Sequence, residues 1–150
     1  GIRLSLFFQG CSHRCPGCHN PETHDPAGGI EVDSAELLAR IKDARGIDGV
    51  TFSGGEPFEQ AAGLAGLAEE IRSLGLNLVF YSGFTFEALL RKSESDPYIR
   101  RLLEAGMLLI EGPYSEEERD LALPFRGSRN QRLIDLPRSL EEGAAVEWKI

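Results

Sequence analysis

The residues of this chain best suited to chemistry are its cysteines, Cys11, Cys15 and Cys18, which all lie in the stretch QGCSHRCPGCHNPETHD (residues 9–25). Thiolates are soft metal ligands, and unligated ones are nucleophiles or redox centres. The spacing CxxxCxxC lets one short loop wrap three thiolates around a face of a cubane iron–sulfur cluster, leaving one iron without a protein ligand. A cluster closed by four cysteines can pass electrons, whereas one with an open iron can also bind a substrate. The competing arrangement is a Cys3His zinc site completed by His13, His19 or His24. Structural zinc usually draws two ligand pairs from separate parts of a chain, and here His19 directly abuts Cys18, which makes tetrahedral closure awkward. An odd, clustered cysteine count with no partners elsewhere fits a reducing cytoplasm better than a secreted disulfide frame.

A second motif, FSGGEP (residues 52–57), places Ser53, Gly54, Gly55 and Glu56 together. Paired glycines allow close approach of a ligand to the backbone, and Pro57 suits a first helical turn.

These motifs need elements to hold them. The apolar, β-branched runs at 2–8, 48–54, 76–83 and 107–112 read as buried strands. Between the first two, Asp33 with Glu36 is a helix start, Leu37, Leu38, Ile41 and Ala44 form a stripe, and Gly46 is a stop. After the second strand, Leu64, Leu67, Ala68, Ile71 and Leu74 mark a helix that Gly75 ends, with Gly63 and Gly66 weakening it. A third helix starts at Thr85, and a fourth lies between the Asp96–Pro97 pair and Gly106. Residues 130–136 and 144–150 are candidate short strands. Alternating buried strands and helices predict parallel βαβ units. Five or six strands are too few for a closed eight-stranded barrel, so the expected fold is α/β, an open, partial (β/α) barrel of parallel strands with its site at their C-terminal ends. The cysteine loop follows the first strand and FSGGEP ends the second, so both motifs face one cavity.

At 150 residues, with no linker, repeat or low-complexity segment, the chain reads as one domain. A net charge of −8 argues against a nucleic-acid partner, and no apolar run approaches a membrane span. Charge is uneven: Glu116, Glu117, Glu118 and Asp120 precede Arg126, Arg129, Arg132 and Arg138, a solvated face or a docking surface.

The CxxxCxxC loop together with GGEP resembles the radical S-adenosylmethionine superfamily. GCSHRCPGCHNPETH, YSGFTFEALL, LIEGPY and LPFRGSRNQRLID are similar to the successive signatures of activating proteins of anaerobic ribonucleotide reductase. That resemblance implies a [4Fe-4S] cluster on Cys11, Cys15 and Cys18, with the amine and carboxylate of S-adenosyl-L-methionine on the fourth iron. It implies Ser53, Gly54, Gly55 and Glu56 at the methionine end of the cofactor, with Ser82 and Gly83 also facing it. The activity implied is reductive cleavage to methionine and a 5′-deoxyadenosyl radical, which takes hydrogen from a glycine of a partner glycyl radical enzyme. The electron would come from a flavodoxin- or ferredoxin-type donor. Many superfamily members place an aromatic just before the third cysteine; this chain has Gly17 there, so His19 becomes the candidate adenine contact. Relatives of the subgroup commonly carry Trp at the position of His24 and Asp at that of Glu111. The family also has a segment ahead of GIR, which suggests that the chain is trimmed at its start.

Overall fold

A computed structural model describes residues 1–13, 15–18 and 21–149. In chain order the elements are β1 (Arg3–Phe8), α1 (Ser34–Asp43), β2 (Gly49–Gly54), α2 (Ala61–Ser73), β3 (Asn77–Ser82), α3 (Phe86–Ser93), α4 (Pro97–Ala105), β4 (Leu108–Glu111), β5 (Arg132–Asp135) and α5 (Leu136–Glu142). The helix starts follow from capping chemistry. Asp33, Thr85 and Asp96 accept bonds from the amides of Ala35, Ala88 and Tyr98 in the first turns of α1, α3 and α4. Glu36 does not reach back to close a capping box; it pairs with Arg40 at 2.9 Å. The helical stripes point inward as expected, with Ile41, Leu64, Leu67, Ala68 and Ile71 buried, although Leu74 stays exposed.

The five strands form one sheet in the order β1-β2-β3-β4-β5. The first three pairings are parallel. Because the strand order never reverses, right-handed crossovers must all fall on one side of the sheet. The core agrees: Val50, Phe52, Leu78, Phe80, Leu109 and Ile134 from the strands pack with residues from all five helices. The opposite face carries a separate cluster of Val79, Leu108, Ile110 and Leu133, flanked by Tyr81, Met107 and Trp148.

Two expectations need correction. The strands are not all parallel, since β5 runs antiparallel to β4. A parallel return needs a crossover; the connection between these strands holds only a short 3-10 turn, Glu116–Glu118, so the chain folds back beside the strand it left. Residues 144–149 make no full strand either, only a bridge from Glu147 to Ile134. Gly106, which closes α4, has a φ of −87°, a backbone that does not itself call for glycine. A Cβ at this position would run into the Phe80 ring and Leu136, so glycine is there for close packing at the end of α4.

Gly66, by contrast, faces open space within α2, where a Cβ meets nothing within 4 Å. Gly66→Ala should therefore stabilise the protein by about 1 kcal/mol, while Gly106→Ala and Gly106→Asn should both cost roughly 1–3 kcal/mol by overpacking. Denaturant unfolding of the three variants checks this. Tolerance of Asn at 106 would mean that backbone conformation, not packing, selects the glycine.

Candidate active site

The cysteine loop leaves β1 at Gln9 and is tied down at both ends. Gly10 N donates to Thr23 O at 2.7 Å and Cys11 N to His24 O at 3.1 Å, which closes the loop at its base. The Gln9 amide nitrogen holds the carbonyls of Glu22 and Asp25. From the other side, Gln60 donates to Gln9 O, and Glu59 accepts from both the amide and the hydroxyl of Ser12. Cys18 N donates to Cys15 O, a tight turn between the second and third thiols.

The end of β2 continues this clamp. Gly55 N donates to Phe8 O at 2.7 Å and Glu56 N to Gly10 O at 2.8 Å. Gly54 has a φ of 90°, and a Cβ there would press on the Phe8 backbone within 2.5 Å. A Cβ on Gly55 would strike the Gly10 carbonyl. The glycine pair therefore lets two stretches of the chain's own backbone meet, in addition to any ligand.

Glu56 does not open onto a cavity. It has no exposed surface, and its carboxylate accepts from Ser82 Oγ at 2.9 Å, Gly83 N at 2.8 Å and Phe58 N at 3.1 Å. His13 Nε2 lies 2.8 Å from the same carboxylate, which can only accept, so that nitrogen carries the proton. The bond to Glu56 holds the imidazole pKa above its ordinary value, against the opposing effect of burial. The His13 ring also meets Phe84 edge to face at 4.5 Å. A Cβ on Gly83 would collide with that ring.

Cys11, Cys15 and Cys18 form no disulfide and line a single cavity of about 410 Å³ with Ser53, Gly54, Gly55, Ser82 and Gly83. Eight of the residues expected at the site thus share one space, and Glu56 lies behind it. The tenth expected residue, His19, lies outside the described residues. Tyr81, Ile110, Tyr114, Arg126 and Gln131 line the same cavity, and Leu121 and Phe125, both largely exposed, stand at its mouth. None of these seven was singled out as a ligand contact in the sequence, though five fall in the LIEGPY and LPFRGSRNQR stretches that carried the resemblance.

Tyr114 explains Gly17. The phenol donates to Glu116 at 2.9 Å. A Cβ on Gly17 would run into that carboxylate and come within 3.3 Å of the Tyr114 ring. Gly17 has a φ of 74°, where glycine is favoured, and the aromatic beside it comes from the β4–β5 connection. Glu111 is likewise accounted for. It is buried at the end of β4, accepts from Phe86 N at 2.6 Å and forms a two-pronged bond with Arg132 at 3.1 and 2.7 Å. Arg132 also reaches Glu87 at 2.6 Å. That bond holds the Glu87 carboxyl below its usual range, and the Glu111 bond raises the guanidinium pKa further. Of the four arginines that suggested docking, Arg132 is thus committed to Glu111 and Glu87 and Arg126 lines the cavity, while Arg129 and Arg138 are exposed.

Among the described residues, Cys11, His13 and Glu59 also bring ligand atoms within 4.8 Å of one another. Glu59 is exposed and already bonded to Ser12, and His13 is bonded to Glu56. The donor set that the cavity offers is three thiols, which fits one face of an iron–sulfur cluster.

Comparison with known proteins agrees with this donor set. A family model described as a 4Fe-4S single cluster domain matches residues 1–134. An anaerobic ribonucleoside-triphosphate reductase-activating protein of Pasteurella multocida is 31% identical, across 87% of this chain and 85% of the relative. The chain belongs to this radical S-adenosylmethionine family of activating proteins. Its member from Vibrio cholerae is 29% identical over similar shares, 87% and 86%. A pyruvate formate-lyase-activating enzyme of Clostridium pasteurianum is 36% identical over 63% of this chain and 43% of the relative.

The His13 to Glu56 contact makes a pH-dependent contribution to the fold. Because the folded pKa is raised, the contribution is complete below the ordinary value of 6.5 and is lost as pH rises through the raised one. The difference in unfolding free energy between wild type and His13→Gln, measured on metal-free protein, should hold steady in acid and narrow above neutrality. A difference that grows with pH would contradict the pairing.

Proposed function

We propose that this protein is a glycyl-radical-generating activase, most directly for an anaerobic ribonucleotide reductase. Cys11, Cys15 and Cys18 would hold a [4Fe-4S] cluster that works with S-adenosyl-L-methionine. The observation that carries the reading is that three cysteine side chains and the Ser53–Gly55 strand end line the same cavity in a member of a family of activating proteins. When bound, the cluster and cofactor supply one-electron reductive cleavage of a sulfonium and hydrogen-atom abstraction from a glycine Cα.

The chain's own residues hold, orient and exclude water. The amides of Gly55 and Glu56 are already bonded to Phe8 and Gly10, so this segment meets a ligand through carbonyl oxygens, which suit the cofactor's protonated amine. Ser82 and Gly83 form the adjoining wall, fixed by Glu56. Tyr81, Ile110, Leu121 and Phe125 give the cavity apolar surface that keeps water from a reactive carbon centre. The one-sided helix layer and sequential strand order support an arc of a (β/α) barrel, its interior lined by Val79, Tyr81, Leu108 and Ile110. A flavodoxin- or ferredoxin-type protein is the electron donor we assign. No described helix is long and apolar enough to cross a membrane, and the net charge of −8 does not suit a nucleic-acid partner.

Anaerobic reconstitution should give about four irons and four sulfides per chain, and Cys15→Ala should abolish this. The reduced, cofactor-loaded protein should then place a glycyl radical, read by EPR, on the catalytic subunit of an anaerobic ribonucleotide reductase. A colourless protein with stoichiometric zinc would refute the reading, and a radical formed only on pyruvate formate-lyase would move the partner assignment.

A further inference from the structure

At the mouth of the cavity one aromatic residue is held in a costly way. Among the described residues, Phe125 is the sole non-glycine with a left-handed backbone, at φ 64°. It follows Pro124, the order in which a type II turn takes proline and then glycine. A Cβ in this region is disfavoured, and glycine would remove the strain. The ring gains little packing in exchange, since it is 62% exposed, next to Leu121 at 69%. Strain and exposure together at a cavity mouth point to use.

The loop carrying these two residues is braced. Arg119 and Ser128 form an antiparallel bridge, Asp120 N donates to Gly127 O at 3.1 Å, and Arg129 N to Glu118 O at 2.9 Å. Gln131 accepts from Gly127 N at 2.9 Å and donates to Gly112 O at 3.0 Å, while Asn130 donates to Pro113 O at 2.7 Å. Phe125 is therefore presented from a rigid support anchored to the end of β4. Beside it, Arg126 lines the cavity with its Nε buried and without a hydrogen-bond partner among the described residues. Its Nη1 donates to Gln131 O at 3.5 Å, within the same loop.

We infer that Phe125, with Leu121, is the substrate-contact lip of the activase, on which the extended segment bearing the partner's reactive glycine is laid. This inference rests on the activase reading. A cavity of about 410 Å³ cannot admit a folded domain, so a backbone glycine can reach it only on a segment drawn over the mouth. Glycine offers no side chain to recognise, so the contact must be made with peptide planes and Cα hydrogens. A rigid aromatic face packs against both and also keeps water out of the covered cavity.

The test uses reconstituted wild type, Phe125→Gly and Phe125→Tyr, with the anaerobic ribonucleotide reductase catalytic subunit of the same organism as probe. Phe125→Gly should melt at or above the wild-type temperature and retain its iron, because it relieves the turn. Its half-saturating reductase concentration for glycyl radical formation should nonetheless rise about tenfold or more, while Phe125→Tyr stays within about threefold of wild type. An unchanged half-saturating concentration in Phe125→Gly would overturn the inference, as would a fall in melting temperature or loss of iron, which would make the ring a structural element. Absence of any glycyl radical with wild type would be a failure of the activase reading itself, seen before the variants are compared.

Discussion

A carboxylate with no exposed surface organises the functional end of this protein. Glu56 sits where β2 ends, and its oxygens take bonds from the cysteine loop through His13, from the end of β3 through Ser82 and Gly83, and from its own following turn through Phe58 N. An ionised group cannot remain in such a place without donors, and breaking a buried pair typically costs about 3–5 kcal/mol. Each donor is thus held as firmly as the carboxylate needs it. Three segments far apart in sequence acquire fixed relative positions from one side chain, and the thiols and the strand ends are positioned as a consequence.

The backbone supplies the second half of this arrangement. Parallel pairing of β1 with β2 does not stop at the strand ends, because Gly55 and Glu56 carry the pattern onward to Phe8 and Gly10. Only glycines permit that approach, given the collisions a Cβ would meet at either position. The cysteine loop is therefore an extension of the sheet at its root and a separate loop only beyond Cys11. A loop so anchored can present three thiols without a metal having to fold it first.

At the end of β4, Glu111 plays a parallel role. It joins β4, β5 and the start of α3 through Arg132 and Phe86 N, near the point where the β4–β5 connection departs. That connection supplies Tyr114, Leu121, Phe125 and Arg126 to the cavity. Two buried carboxylates, one after β2 and one at the end of β4, thus brace the end of β3, and the cavity in front is lined by thiols, small residues and apolar rings.

How much of this the sequence determined depends on whether the information is local. The strands, the helix starts at Asp33, Thr85 and Asp96, and the cysteine loop were legible because hydrophobic period, capping side chains and ligand spacing each operate within a few residues. The convergence of CxxxCxxC and GGEP was legible too, since both follow strands whose C-terminal ends must lie on one side of a parallel sheet. The direction of β5, the packing role of Gly106 and the meeting of Gly17 with Tyr114 were not. Each depends on contacts between segments far apart in sequence, which no local pattern encodes. The same holds for Glu56: the resemblance implied a place at the methionine end of the cofactor, and only the tertiary structure brings His13, Ser82 and Gly83 to its buried carboxylate.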